Sequence, residues 1–316
     1  MKAFITGITG FAGSHLAEHL LLLGHEVAGL ARPGAEVENL EKVLSQISLH
    51  EGDILAPKTL SRIIQETQSD WVFHLAGQSS VSISWENPAF TLSANALGGV
   101  HLLDACLPLK DKIRIIAAGS VQIFGRTNPS EVLAENSPYA PEDPYASSKL
   151  VFDLLARQYC LKHGLEVVLL RLANHTGPRQ TPKAVVADFA KQVAEIEAGF
   201  KEPVIQAGNL DSHRDFIDVR DAVKAYALAA ESAEPGEAYL VCSGVSLRIG
   251  DVLDILLSLA RVPIRVARDP AKYRPADPGQ SAISAAKFTA ATGWRTEIPI
   301  ETTLQDTLDF WRRRIG

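Results

Sequence analysis

The chain has 316 residues, 46% of them hydrophobic and 22% charged, an ordinary globular composition with enough apolar material to bury a large core. A formal net charge of -6, from 31 basic and 37 acidic residues with no basic stripe, argues against nucleic acid as a partner. Cys106, Cys160 and Cys242 are odd in number and far apart, which points to neither a disulfide framework nor a metal knuckle, and no run approaches the roughly 18 apolar residues of a membrane span.

The N-terminus enters Lys2-Ala3-Phe4-Ile5-Thr6-Gly7 directly, too short an apolar run for a signal peptide, so a cytoplasmic protein is expected. Short β-type runs then alternate with helical patterns. Strands are predicted over Ala3–Thr6, His25–Leu30, Ser48–His50, Trp71–Leu75, Ile113–Ala117 and Val167–Arg171, with helices such as Gly13–Leu23 and Asn95–Leu107 between them. That alternation builds right-handed βαβ units, hence an α/β fold with a doubly wound parallel sheet of Rossmann type. From about Asn174 the rhythm breaks, with Pro178, Pro182 and Pro203 and a helix over Val185–Glu197. The helix Ala222–Ala233 and the strand Tyr239–Cys242 can return to the first unit.

After the first strand, Gly7-Ile8-Thr9-Gly10-Phe11-Ala12-Gly13 opens a helix. Glycines allow a tight turn and close approach of a pyrophosphate, and the helix start offers free N–H groups to the anion. Asp53 and Ile54 end the third strand, where the acid can accept from an adenine amino group or cap the run after Pro57; Leu75, Ala76 and Gly77 leave room for a ribose after the fourth. The second strand ends in Arg32 where an acidic residue would bind a free ribose 2′-hydroxyl, and an arginine suits a 2′-phosphate, so NADP (NADPH) is favoured with NAD as the alternative. The division expected is a dinucleotide-binding domain over 1–173, with returns near 214–245, and a smaller, interleaved C-terminal substrate-binding region over 174–316.

Asp143-Pro144-Tyr145-Ala146-Ser147-Ser148-Lys149 puts a tyrosine four residues before a lysine on one helical face. A phenol is a poor acid or base near neutral pH, and an adjacent ammonium is expected to stabilise its phenolate and lower its pKa. Ile115-Ile116-Ala117-Ala118-Gly119-Ser120 reads as a strand ending in a hydroxyl able to hold a carbonyl from the other side. Ser120, Tyr145 and Lys149 are therefore the expected catalytic group, with Tyr145 and Lys149 joining Gly7, Gly10, Phe11 and Gly13 on the cofactor. His15-Leu16-Ala17-Glu18-His19 formally matches a zinc pattern, but it lies on the helix opened by the glycine turn, and no metal is expected.

These motifs resemble the extended short-chain dehydrogenase/reductase family, over essentially the whole chain. Longer blocks resemble the GDP-mannose 4,6-dehydratases and, more strongly, the GDP-6-deoxy-4-keto-mannose reductases: His74-Leu75-Ala76-Gly77-Gln78-Ser79-Ser80-Val81, Arg171-Leu172-Ala173-Asn174-His175-Thr176-Gly177-Pro178, Arg214-Asp215-Phe216-Ile217-Asp218 and Arg274-Pro275-Ala276-Asp277. The resemblance implies a GDP-sugar substrate, with Asn174, Arg214 and Arg274 addressing the diphosphate, Lys183 the nucleotide end and Asp277 a ribose hydroxyl or the base. Ser79, Ser80 and Trp85 follow the fourth strand, where they can meet the hexose, although Trp85 reads equally well as core. The dehydratases carry a threonine and, two residues on, a glutamate that helps remove water; here these are Ser120 and Gln122, and a neutral amide cannot accept that proton. The expected reaction is NADPH-dependent reduction of the C4 ketone of a GDP-4-keto-6-deoxyhexose, with a 4-epimerase, a dehydratase and a non-catalytic NADP-binding sensor as rivals. The resemblance also implies a homodimer, since members of that family pair through a helix bundle built on the apolar faces of the helices that correspond to those around Asn95–Leu107 and Tyr145–His163.

Overall fold

A computed structural model of the chain describes residues 1–125, 131–270 and 282–316. Its strands are β1 (Lys2–Thr6), β2 (Glu26–Ala31), β3 (Ile47–Glu51), β4 (Trp71–His74), β5 (Arg114–Ser120), β6 (Glu166–Leu172), β7 (Asn174–Thr176), β8 (Val204–Ala207), β9 (His213–Asp218), β10 (Ala238–Val241), β11 (Ser246–Arg248) and β12 (Arg265–Arg268). The helices are α1 (Phe11–Leu22), α2 (Pro57–Thr67), α3 (Val81–Glu86), α4 (Pro88–Leu92), α5 (Gly98–Cys106), α6 (Pro144–His163), α7 (Val185–Glu197), α8 (Val219–Ser232), α9 (Ile249–Ser258), α10 (Ala286–Thr292) and α11 (Ile300–Ile315).

Seven strands form one parallel sheet in the order β10-β6-β5-β4-β1-β2-β3. The order reverses at β1, which makes the crevice beyond the carboxyl ends of β1 and β4 the place where a ligand binds in such sheets. Both faces are covered. Leu16 and Leu20 of α1 and Tyr226 of α8 pack with Ile5, Phe73 and Val168 on one side. Leu60 and Ile64 of α2, Leu103 of α5 and Phe152 of α6 pack with Phe4, Val72 and Val167 on the other. Neighbouring residues such as Phe4 and Ile5 thus face opposite cores, so the strands read as continuous apolar runs.

A separate apolar cluster joins α7, α9 and α11 through Phe189, Leu253, Leu308 and Trp311. Above it, β11, β9 and β7 form a three-stranded sheet that pairs Asn174 with Phe216. The predicted strands all appear, displaced by no more than a few residues at their ends. The helix expected from Asn95 differs: it starts at Gly98, behind a π-helical turn over Ser93–Leu97.

Arg171, in the middle of this framework, is buried with Asp153, Nε and Nη2 each donating at 2.8 Å to the carboxylate. Its Nη1 donates to Glu135 O at 3.0 Å and its guanidinium lies over the Phe124 ring. The ion pair therefore fastens segment 131–140 to the sheet beside Ser120. Phe124 is buried and packs with Ile123, Leu133 and Leu240.

Candidate active site

Helix α6 begins where it does because Asp143 caps it, accepting from Ala146 N at 2.8 Å, with Pro144 at the first helical position. Tyr145 and Lys149 follow on the same face. Ser120 closes β5 and its Oγ accepts from Gln122 N at 3.2 Å, turning the chain away from the sheet. The Tyr145 hydroxyl lies close enough to Ser120 for that side chain to favour its ionised form, and both side chains are buried. Lys149 Nζ donates to Ala118 O at 2.9 Å. Strand β5 and helix α6 therefore bring the three groups together at the carboxyl end of the sheet.

The electrostatics differ from the sequence expectation. Burial raises the Tyr145 phenol above its ordinary value, opposed by the Ser120 side chain. Burial also lowers Lys149 to about 8, with no carboxylate among the described residues offsetting it. The lysine thus does not pull the phenol down here, because loss of solvent acts against the charged form of each group. A phenol held neutral is a proton donor.

Asn95 belongs to this group although its sequence context suggested only a helix start. It is buried, and its Oδ1 accepts from Gln78 N at 2.7 Å. Its Nδ2 donates to Gln78 O and to Ser148 Oγ, each at 2.9 Å, and Ser148 Oγ in turn donates to Tyr145 O. The π-helical turn aims it inward, tying the loop after β4 to α6.

The glycine turn lies against this loop. Gly7 has φ +74 and a Cβ there would stand 2.8 Å from Ala76 N, while a Cβ on Gly13 would strike Gly7 O at 2.2 Å. Helix α1 starts at Phe11 with no side-chain cap and no acidic residue in its first turn, which leaves its first N–H groups to an anion. Thr6 Oγ1 accepts from Ala76 N at 3.2 Å and is 2.9 Å from His74 Nδ1, holding Leu75, Ala76 and Gly77 beside the turn. Burial lowers His74 to about 3, so it is a neutral strut. A Cβ on Gly77 would lie 4.0 Å from Lys149 Nζ, placing the expected ribose space next to that lysine. Arg32 is exposed at the end of β2, opening a turn that closes at Ala35. Asp53 Oδ1 accepts from Leu55 N at 2.8 Å in the turn before α2, whose N-cap, Ala56, has no side-chain cap, so Asp53 does not cap the run after Pro57; Ile54 is buried against Gly98. The residues present fit a dinucleotide phosphate.

The substrate set is less compact. Adjacent strands β7 and β9 carry Asn174 and Arg214, and Arg214 Nη1 donates to His213 O. Ser79 is exposed, whereas the Ser80 hydroxyl caps α3 by accepting from Ile83 N. Trp85 is 64% exposed, which rules out the core reading. Lys183 is exposed in the loop before α7, and Arg274 and Asp277 lie outside the described residues. Gln122 is half-buried, next to Ser120. Among the described residues no group of three His, Cys, Asp or Glu side chains is placed to hold a metal, and His15 Nε2 lies 2.9 Å from Pro178 O. Among them, too, no helix is long and apolar enough to cross a membrane.

A Rossmann-type sheet with this glycine turn and a Ser–Tyr–Lys group is the architecture of the extended short-chain dehydrogenase/reductases, nicotinamide-dependent oxidoreductases. Residues 4–307 match the GDP-mannose 4,6 dehydratase family, and the chain belongs to that family. It is 32% identical to the GDP-6-deoxy-D-mannose reductase of Pseudomonas aeruginosa, over 99% of this chain and 98% of that one. It is also 32% identical to the GDP-mannose 4,6-dehydratase of Vibrio cholerae, over 80% of this chain and 70% of that one. The solved structure of RMD from Pseudomonas aeruginosa complexed with NADPH superposes with a TM-score of 0.85 at 31% identity, covering 99% of each chain.

Proposed function

We propose that the protein reduces the C4 ketone of a GDP-linked 4-keto-6-deoxyhexose, using NADPH, to a GDP-6-deoxyhexose of the rhamnose type. The observation that carries this reading is the make-up of the site. Ser120, Tyr145 and Lys149 can exchange a proton at a carbonyl oxygen, but the group two residues after Ser120 is the carboxamide of Gln122, which cannot take the proton that dehydration across C5 and C6 must remove. Relatives of both kinds have similar identity, so Gln122 weighs more than likeness. Full-length similarity to the reductase, and its likeness to an NADPH complex, support it.

NADPH, held at the glycine turn, would supply the hydride. Ser120 orients the ketone oxygen, and Tyr145, neutral in its buried position, gives that oxygen its proton as negative charge develops there. Lys149 would hold the ribose hydroxyls and offset the charge left on the phenol. Asn174, Arg214 and Arg274 would take the diphosphate, because a guanidinium makes paired, charge-assisted bonds to phosphate.

The test is NADPH oxidation by the purified protein with GDP-4-keto-6-deoxy-mannose made in place from GDP-mannose by a separate dehydratase. Stoichiometric loss of NADPH absorbance is expected, with the product's NMR spectrum giving its C4 configuration. Intact protein that leaves NADPH unchanged with a verified keto-sugar would overturn the reading and turn attention to epimerase assays.

The proposal extends to a cytoplasmic homodimer. Leu97 before α5 and Val151, Leu154 and Leu161 on α6 are exposed apolar side chains on the two helices expected to pair, and Cys106, Cys160 and Cys242 are free thiols. Light scattering should give twice the 34.2 kDa chain mass, and a monomer would exclude the bundle.

A further inference from the structure

Among the described residues, Arg179 and Gln68 are the non-glycine residues with positive φ. Gln68 ends α2, an ordinary place for it. Arg179 instead stands third in the turn Gly177–Gln180, with Pro178 before it and φ +74, a position that a type II turn reserves for glycine. An arginine kept there at a conformational cost has work to do with its side chain.

That side chain joins its own turn to two other pieces of the cofactor region, α1 and the loop after β2. Nη1 donates at 3.1 Å to Ser14 Oγ on α1 and at 3.1 Å to Asn39 O in the loop that leaves β2 through Arg32. Nη2 donates at 2.6 Å to Glu18 Oε2, an ion pair whose side chains are only 14% and 24% exposed. Asn39 completes the link, because its Nδ2 donates at 3.1 Å to Thr9 O inside the glycine turn. The same turn is drawn onto α1 by His15 against Pro178 O and by Phe11 stacked on His175. A further tether, Arg314 to Glu38, runs from α11 to this loop but is exposed and screened by solvent.

We propose that Arg179 is a positioning residue for the cofactor: through Asn39 it holds the Arg32 loop over the glycine turn, so that Arg32 meets a 2′-phosphate and NADP is selected over NAD. The inference rests on the reading of Arg32 as the 2′-phosphate residue. Arg179 reaches three acceptors from one planar fork, which lysine cannot reproduce.

The experiment measures NADPH and NADH dissociation constants by nicotinamide fluorescence, and the melting temperature of the cofactor-free protein, for wild type, Arg179→Gly, Arg179→Lys, Asn39→Ala and Arg32→Ala. Glycine accepts the positive φ, so Arg179→Gly removes the clamp without adding backbone strain. The expected result is NADPH binding weakened about tenfold in Arg179→Gly and Arg179→Lys, the worth of one charge-assisted hydrogen bond to phosphate, with NADH binding changed less than about twofold. Asn39→Ala, which cuts the loop from Thr9 and leaves Arg179 in place, must reproduce that split. Parallel weakening of both cofactors, or weakening of neither, would overturn the clamp. If Arg32→Ala binds NADPH as wild type does, the 2′-phosphate reading fails and the clamp with it; if Arg32→Ala weakens NADPH and the Arg179 and Asn39 variants do not, only the clamp fails.

Discussion

Replacing Tyr145 with phenylalanine should lower kcat for NADPH-dependent ketone reduction by about 10²–10⁴-fold, the range for a positioned general acid, while the protein still binds NADPH and folds. The change removes one hydroxyl from a buried side chain and leaves the ring in place. Ser120 beside it keeps its contact with Gln122 N when the hydroxyl is removed, so no buried group is stranded. The loss should fall on kcat and on kcat/KM for the sugar together, because the proton is needed only in the transition state. Single-turnover rates with pre-bound NADPH are the measurement. A rate within about tenfold of wild type would remove Tyr145 from the acid role. The raised phenol pKa adds a sign: the donor form persists through neutral and mildly alkaline pH, so ionisation of Tyr145 should not limit reduction there.

The second large effect belongs to Lys149 and has two parts that a purely structural residue would not show together. Lys149→Met should abolish most of the activity, by about 10²-fold or more, since the charge opposing the developing phenolate and the ribose donor go with it. The melting temperature should hold or rise, because the native ammonium is taken from water with one carbonyl, Ala118 O, as its hydrogen-bonding partner. The pH dependence follows. Lys149 titrates at about 8 in the folded chain and near its ordinary, higher value when unfolded, so between those pH values the unfolded chain binds more protons and stability rises with pH. Below about 8 both states are protonated and the full cost of the buried charge is present. Activity runs the opposite way. The profile of kcat/KM for NADPH, which reports the free protein, should fall as pH rises past about 8. A flat profile to pH 10, or a melting temperature several degrees lower in Lys149→Met, would contradict this account.

Signals carried within a few residues were legible in advance. The glycine spacing from Gly7 to Gly13 follows from a turn whose Cβ positions are closed by Ala76 and by the turn's own carbonyl. Tyr145 and Lys149 share a face because a helix repeats every 3.6 residues, and Asp143-Pro144 marks where that helix starts. The Ser120 hydroxyl at a strand end and the alternation of apolar strands and helices are equally local. The reading of Trp85 as core and the expected lowering of the phenol by Lys149 failed, since both depend on which surfaces are covered.

Asn95 shows the other side. Nothing near it in the chain distinguishes it from a helix residue, and its role comes from Gln78 and from Ser148, 53 positions away. Arg179 is similar, with partners on α1 and at Asn39, 140 positions earlier. The sequence by itself determined the fold class, the glycine turn and the identity of the Ser–Tyr–Lys group, because helix period, strand alternation and steric limits on φ act between near neighbours. Only the tertiary structure decided the direction in which burial moves Tyr145 and Lys149, the inward turn of Asn95 and the hydrogen bonds of Arg179, because desolvation and long-range hydrogen bonds depend on what the fold brings together across the sheet.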